Sequence, residues 1–193
     1  MRIIAGLYRG RVLKTLPGLE LRPTGDRLRE TLFNVLGSTV QDSVFIDAYA
    51  GSGAVGLEAL SRGSRQIFFI EESAASLRMI AANVAALGAG TVVEIVRTSV
   101  HKGLKLLEAR GVRADFCFLD PPYAEQREYA RSLLRLTTGA LMKPEGLIVC
   151  EHSRKEPLEP QYGRWTRARV LTQGSSALDF YRRSQPDTEA TIP

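Results

Sequence analysis

Val44-Phe45-Ile46-Asp47-Ala48-Tyr49-Ala50-Gly51-Ser52-Gly53-Ala54-Val55-Gly56 decides the fold of this chain. A short apolar run ends on an acid, passes through a glycine-rich turn and enters a helix-forming stretch. Glycines in such a turn let the backbone come close to a ligand, because no Cβ stands between them. Gly51, Gly53 and Gly56 satisfy the dinucleotide pattern GxGxxG, and Glu71 lies 20 residues after Gly51, where an acid can grip ribose hydroxyls. Two cofactor classes therefore compete. A nicotinamide site puts its first glycine directly after the strand, so that pyrophosphate meets the helix N-terminus. Here an acid and three further residues intervene. Asp47 would repel a diphosphate but can face the ammonium of a methionine moiety, while Glu71 chelates a ribose diol. S-adenosylmethionine suits both acids, whereas a plain strand-to-helix connection would need neither.

On either side of this stretch, strand and helix signals alternate up to about residue 151. Gln66 to Glu71 reads as a second strand, and residues 92–96, 115–119 and 147–150 continue the series. Between them Leu77, Ile80, Ala81, Val84 and Leu87 recur at helical spacing. Leu28, Leu32, Val35 and Leu36 mark an earlier amphipathic helix, with Thr24 before it as a cap and Gly37 as its stop. Apolar strands separated by helices predict an α/β fold, a mostly parallel sheet covered on both faces. After residue 151 the rhythm changes. Residues 164–171 and 176–183 predict two strands around Gln173-Gly174-Ser175, an antiparallel C-terminal hairpin. The first twenty residues, punctuated by Gly6, Gly10 and Gly18, predict a small basic strand-and-turn appendage. With 193 residues and 44% apolar content, the chain is expected to form a single domain over residues 1–183, with a flexible tail at 184–193.

Charge is concentrated at the start. Residues 1–30 hold seven cations (Arg2, Arg9, Arg11, Lys14, Arg22, Arg27 and Arg29) against three acids (Glu20, Asp26 and Glu30), a net +4 of the overall +5. Arg164, Arg167, Arg169, Arg182 and Arg183 form a second cluster. Such patches suit the phosphates of nucleic acid, although a solvated face has the same composition. The chain has no run of 18 apolar residues, and charge interrupts the N-terminus too early for a signal peptide, so a cytoplasmic location is expected. Cys117 and Cys150 stand inside apolar strands without CxxC spacing or clustered histidines, and read as reduced, buried side chains.

The chemistry is expected at Asp120-Pro121-Pro122-Tyr123, at the end of the 115–119 strand. Two prolines fix φ and remove two donors, which stiffens the turn. The Asp carboxylate and the Asp-Pro carbonyl then form paired acceptors beside an aromatic wall. An exocyclic amine on an extruded base donates to two such acceptors while its ring stacks. A rigid surface turn would have the same composition. His101 and His152 are expected to be bystanders, since chemistry at an amine held by two acceptors requires no imidazole.

This order of motifs resembles class I, Rossmann-like methyltransferases that modify exocyclic amines. More narrowly, Arg2-Ile3-Ile4-Ala5-Gly6, Arg9-Gly10-Arg11, Leu21-Arg22-Pro23-Thr24, Asp26 to Asn34, Asp47 to Gly63 and Asp120 to Tyr123 are similar to the bacterial 16S rRNA guanine-N2 methyltransferase family of RsmD type. The resemblance spans nearly the whole chain up to the tail. It implies S-adenosylmethionine as cofactor, held by Asp47, Ala48, Gly51, Gly53 and Glu71, with Ser99 and Val100 flanking the adenine. The family often has an acid or amide where Ser99 stands. It implies Asp120, Pro121, Pro122 and Tyr123 as the catalytic set, and Arg9, Arg11, Arg22, Thr24, Arg27 and Arg29 toward the substrate, with Thr24, Arg27 and Arg29 also able to close over the cofactor tail. The partner implied is 16S rRNA, within the small ribosomal subunit or an assembly intermediate, with no metal and no membrane. An adenine-N6 methyltransferase shares the tetrapeptide, and a nucleic-acid-binding protein without turnover would share the fold.

Overall fold

The apolar runs assemble side by side into one sheet. The structure, a computed structural model, describes residues 1–15, 23–121 and 126–184. Its strands are β1 (Val44–Ala48), β2 (Gln66–Glu71), β3 (Val93–Arg97), β4 (Ala114–Leu119), β5 (Met142–Ser153), β6 (Gln161–Tyr162), β7 (Trp165–Gln173) and β8 (Ser176–Arg183). They lie in the order β3-β2-β1-β4-β5-β8-β7-β6. The first five are parallel, and β8, β7 and β6 are added antiparallel. The helices are α1 (Pro23–Leu36), α2 (Ala54–Ser61), α3 (Ala74–Leu87), α4 (Val100–Ala109) and α5 (Gln126–Thr138), with a 3-10 turn at Gly37–Val40.

β1 is buried along its whole length, because successive side chains point to opposite faces and both faces are covered. Phe45 joins Phe33, Phe69, Phe116 and Phe118 in one core layer. Ile46 joins Ile70, Leu104, Leu133 and Ile148 in the other. Truncating such a phenylalanine to alanine costs about 3–5 kcal/mol.

Three elements depart from the sequence expectation. α1 begins at Pro23, so Thr24 falls inside its first turn instead of capping it from outside; a proline at the first helical position needs no hydrogen bond for its missing N–H. β5 is twelve residues long, reaching back to Met142. Its first half was illegible because Pro144 and Glu145 are exposed and break the apolar run, yet Met142 still pairs with Ala114. β6 is too short to leave a periodic signal. The basic N-terminal segment is a strap pinned into the body. Arg2 and Val12 form a bridge, and Ile3 and Leu13 are buried in the core. The expected hairpin is present, turning at Gly174, whose φ is +60°. Residues 185–193, expected to form the tail, lie outside the described residues.

Candidate active site

The strand order reverses between β1 and β4, and the carboxyl ends of parallel strands at such a switch point open a crevice. Asp47 pairs with Phe118 and Ala48 with Leu119 across it. The next residues, Tyr49 and Asp120, leave the sheet together and line a cavity of about 590 Å³. Such a volume suits a drug-sized ligand or cofactor.

One wall is the turn from β1 into α2. Gly51 and Gly53 have φ of +55° and +77°, conformations in which a side chain would be strained. Gly56 has a different role: a Cβ there would stand 2.3 Å from Phe69 Cε1, so its absence lets α2 press onto β2. Two acids fasten this turn. Asp47 Oδ2 accepts from the Gly56 N–H at 2.8 Å. Glu71 Oε2 accepts from the Gly51 N–H at 2.9 Å, and Oε1 accepts from the N–H groups of Glu72 and Ser73, each at 2.8 Å. The turn is therefore preorganised before any ligand arrives. Asp47 is almost fully buried, and burial pushes its carboxyl up to about 7; the Gly56 bond opposes that rise and the nearby Glu71 charge adds to it.

The other walls come from distant parts of the chain. Gly25, Leu28, Arg29 and Leu32 of α1 face the glycine turn, Glu151 closes the β5 side, Ser175 and Ser176 contribute from the hairpin, and Met1 and Thr15 are the two ends of the strap. Asn83, buried in α3, joins strap and turn: its side-chain amide donates to the carbonyls of Lys14 at 3.1 Å and Ser52 at 3.0 Å, and its oxygen accepts from the Lys14 N–H at 2.8 Å. Met1, Thr15 and Asn83 carry no motif that sequence reasoning could use. Glu151, an acid directly after the apolar run 147–150, left the same kind of signal as Asp47.

Of the expected cofactor residues, Asp47 and Gly51 line the cavity, and Glu71 reaches it through Gly51. Ala48 and Gly53 are buried in the strand end and the turn. Ser99 and Val100 lie at the start of α4, directly after β3, and are not among the residues lining the cavity; Ser99 makes no side-chain cap, and Val100 is packed in the core. Of the catalytic set, Asp120 lines the cavity and Pro121 is buried beside it. Pro122 and Tyr123 fall outside the described residues.

The profile of the family described as Conserved hypothetical protein 95 matches residues 1–182. The chain belongs to that family. Ribosomal RNA small subunit methyltransferase D of Haemophilus influenzae is 37% identical to it over 185 residues, 94% of this chain and 93% of the relative. The protein of the same name from Escherichia coli strain K12 is 35% identical over 196 residues, 98% of this chain and 94% of the relative. The solved structure of yhhF from Escherichia coli superposes with a TM-score of 0.83 at 34% identity, covering 95% of this chain and 98% of that one. An RNA methyltransferase from Salinibacter ruber, solved in complex with S-adenosyl-L-homocysteine, is 14% identical with a TM-score of 0.62 over 89% of this chain and 100% of that one, which shows the shared fold. That fold is the class I methyltransferase fold.

In this member of the Conserved hypothetical protein 95 family the cations expected to meet substrate are dispersed. Arg29 is turned inward: its guanidinium donates to the Arg2 carbonyl at 2.7 Å and to Asp26 at 3.2 Å, and its Nε lies 3.8 Å from the buried Glu58. Burial lowers its pKa, against the raising pull of Asp26 and Glu58. Its position makes it an anchor between α1, α2 and the strap, and it also lines the cavity. Arg27 is exposed on α1. Arg9 and Arg11 are exposed on the strap, and Arg11 donates to the Ala86 carbonyl at 2.8 Å. Arg22 lies outside the described residues, as does the Thr24 side chain.

The histidines stand apart from the cavity walls. His152 Nε2 lies 3.2 Å from Asp179 Oδ1, and Arg167 donates to Asp179 Oδ2 at 2.9 Å, a buried ionic cluster that joins β5, β8 and β7. Burial opposes charge on both His152 and Asp179, yet their mutual contact and the Arg167 bond prevail, raising the His152 pKa and lowering that of Asp179. Cys117 and Cys150 are buried and free, and burial pushes both thiols well above their ordinary range. Among the described residues no group of three or more His, Cys, Asp or Glu side chains is placed to hold a metal ion, and no helix is long and apolar enough to cross a membrane.

Proposed function

We propose that this protein methylates the exocyclic N2 amine of a guanine in 16S rRNA, using S-adenosylmethionine. The observation that carries the reading is the convergence of Asp47, the glycine turn and Asp120 on one cavity at the switch point. A buried acid at the strand end and a second acid beside the glycine turn suit a ligand with an ammonium and a ribose, and disfavour a diphosphate. The relatives named for small-subunit ribosomal RNA methylation match almost the full chain, which supports rRNA as the substrate class.

Bound S-adenosylmethionine would supply an electrophilic methyl on sulfur. The chain would hold it through Asp47 and the glycine-turn backbone, with Glu71 toward the ribose and Ser99 and Val100 toward the adenine. The chain's own task is to make a poor nucleophile attack. The guanine N2 lone pair is delocalised into the ring, so attack requires the nitrogen to pyramidalise. Asp120 and the Pro121 carbonyl accept its two N–H bonds, stabilise the positive charge that develops and aim the lone pair, which is orientation plus electrostatics. Tyr123 is assigned to stacking on the extruded base. After transfer the amine loses a proton to Asp120 or water, and no covalent enzyme intermediate forms.

Asp120→Ala is expected to lower kcat by at least about a hundredfold while the dissociation constant for S-adenosylmethionine changes little. Methylated rRNA from the wild type, digested to nucleosides and weighed by mass spectrometry, should contain N2-methylguanosine. N6-methyladenosine would instead establish the adenine-N6 activity, and cofactor binding without any methylated product would mark a binding protein.

A further inference from the structure

Tyr49 follows β1 directly and precedes the glycine turn, yet its own φ is +63°, a left-handed backbone that neighbouring Gly51 and Gly53 adopt without a side chain. A residue other than glycine held there points to a role for its side chain. The ring packs against the core layer under α4 and α5. Its hydroxyl donates to Glu128 Oε2 at 3.0 Å and lies 3.0 Å from Ser132 Oγ, so the serine hydroxyl donates to it in turn. Both partners sit on α5, and Ser132 is 1% exposed. The donor half of the site is built on β1 and α2, while the acceptor half, Asp120 and Pro121, follows β4, whose last residue Leu119 shares a core layer with Tyr129 and Leu133 of α5. Tyr49 therefore bridges the two halves by a directional, half-buried bond network that crosses the switch point.

We propose that Tyr49 is a positioning residue that ties the cofactor turn to α5 and so sets the distance from methyl donor to acceptor amine. The inference rests on the methyltransferase reading above and adds to it a specific coupling. In-line transfer tolerates little error in that distance. A network of two bonds sharing one hydroxyl holds its geometry better than packing alone. The tyrosine touches neither reacting atom and takes no proton.

Tyr49→Phe keeps the ring and the backbone and removes only the hydroxyl. At saturating rRNA and S-adenosylmethionine, kcat should fall tenfold or more, with the cofactor dissociation constant within twofold of the wild type. Ser132→Ala should act in the same direction but less, and the double variant should match Tyr49→Phe alone, since both changes break one network. Amide exchange gives a second readout that needs no RNA. S-adenosylhomocysteine should slow exchange in both the glycine turn and α5 of the wild type, but in the glycine turn alone of Tyr49→Phe. Full kcat in Tyr49→Phe, a parallel loss of kcat and cofactor affinity, or unchanged protection of α5 would each overturn the proposal. Should Tyr49→Phe fail to fold, Ser132→Ala and Glu128→Gln provide the same comparison. A wild type unable to methylate rRNA would refute the functional reading, while the exchange experiment would still decide the link through Tyr49.

Discussion

Asp47 is buried, accepts a hydrogen bond and lines the cavity, and its protonation state couples stability to ligand binding. In the unfolded chain it titrates near about 3.9, but in the fold burial holds the proton up to about 7. Between those values the native state binds more protons than the unfolded one. Stability therefore falls as pH rises from about 4 to about 7 and levels off above, the reverse of a salt-bridged aspartate. A ligand that brings an ammonium to this acid favours the carboxylate. Binding below pH 7 should then release a proton, and affinity for S-adenosylmethionine should rise from pH 6 to 8. Calorimetry in buffers of different ionisation enthalpy will show that release, and Asp47→Asn should abolish both the release and the slope. An affinity that is flat across this range in the wild type would remove Asp47 from the ammonium site.

At the scale of elements, α2 is the hub: its N-terminus faces the cavity, its body presses on β2, and its far end carries the strap. Glu58, fully buried in α2, accepts from the Ile4 N–H at 2.8 Å and the Ala5 N–H at 3.1 Å, and Ser61 binds Ala5, Leu7 and Tyr8. The contact with β2 has no slack at Gly56. Gly56→Ala drives a methyl to within 2.8 Å of Phe69 Cζ as well as onto Cε1, so it should destabilise the protein by about 1–3 kcal/mol in denaturant titrations. Phe69→Leu in the same chain should recover part of that loss. Elements of this kind mark the limit of what the sequence made legible. The five parallel strands, α3 and the hairpin left apolar signals because both layers of the core demand them, Asp47 and Asp120 stood at the expected strand ends, and Gly51 stood in the expected turn. Glu58 and Asn83 did not, because a polar residue inside an apolar helix period shows its purpose only once its partner, some fifty or more residues away, is folded against it. Arg29 illustrates the converse: its charge suggested a partner outside the chain, but gave no sign of the partners it also has inside it, Asp26 and Glu58.

Across the whole molecule, charge and chemistry occupy different ends. Residues 1–15 contain four cations, Arg2, Arg9, Arg11 and Lys14, and no acid. The tip of this strap is bound at Ser61, the end of α2 remote from the glycine turn. A helix of that length spans about 12 Å, so an RNA that placed its target base beside Asp120 and touched Arg9 would have to cover the whole side of α2. Phosphate contacts so far from the reacting atoms are expected to act on affinity, by releasing counterions. Arg9→Ala with Arg11→Ala should weaken binding of rRNA about equally for different sequences. It should lower the slope of log affinity against log salt by about 0.7–0.9 for each phosphate contact removed. Arg11 is expected to contribute less than Arg9, since its guanidinium already holds the Ala86 carbonyl. With RNA saturating, kcat should stay within twofold of the wild type, the opposite of Asp120→Ala. Filter binding between 50 and 200 mM salt (roughly the range in which such slopes are resolved), together with single-turnover rates, separates the two effects. A double variant that loses turnover but keeps the full salt slope would move the RNA contact away from the strap.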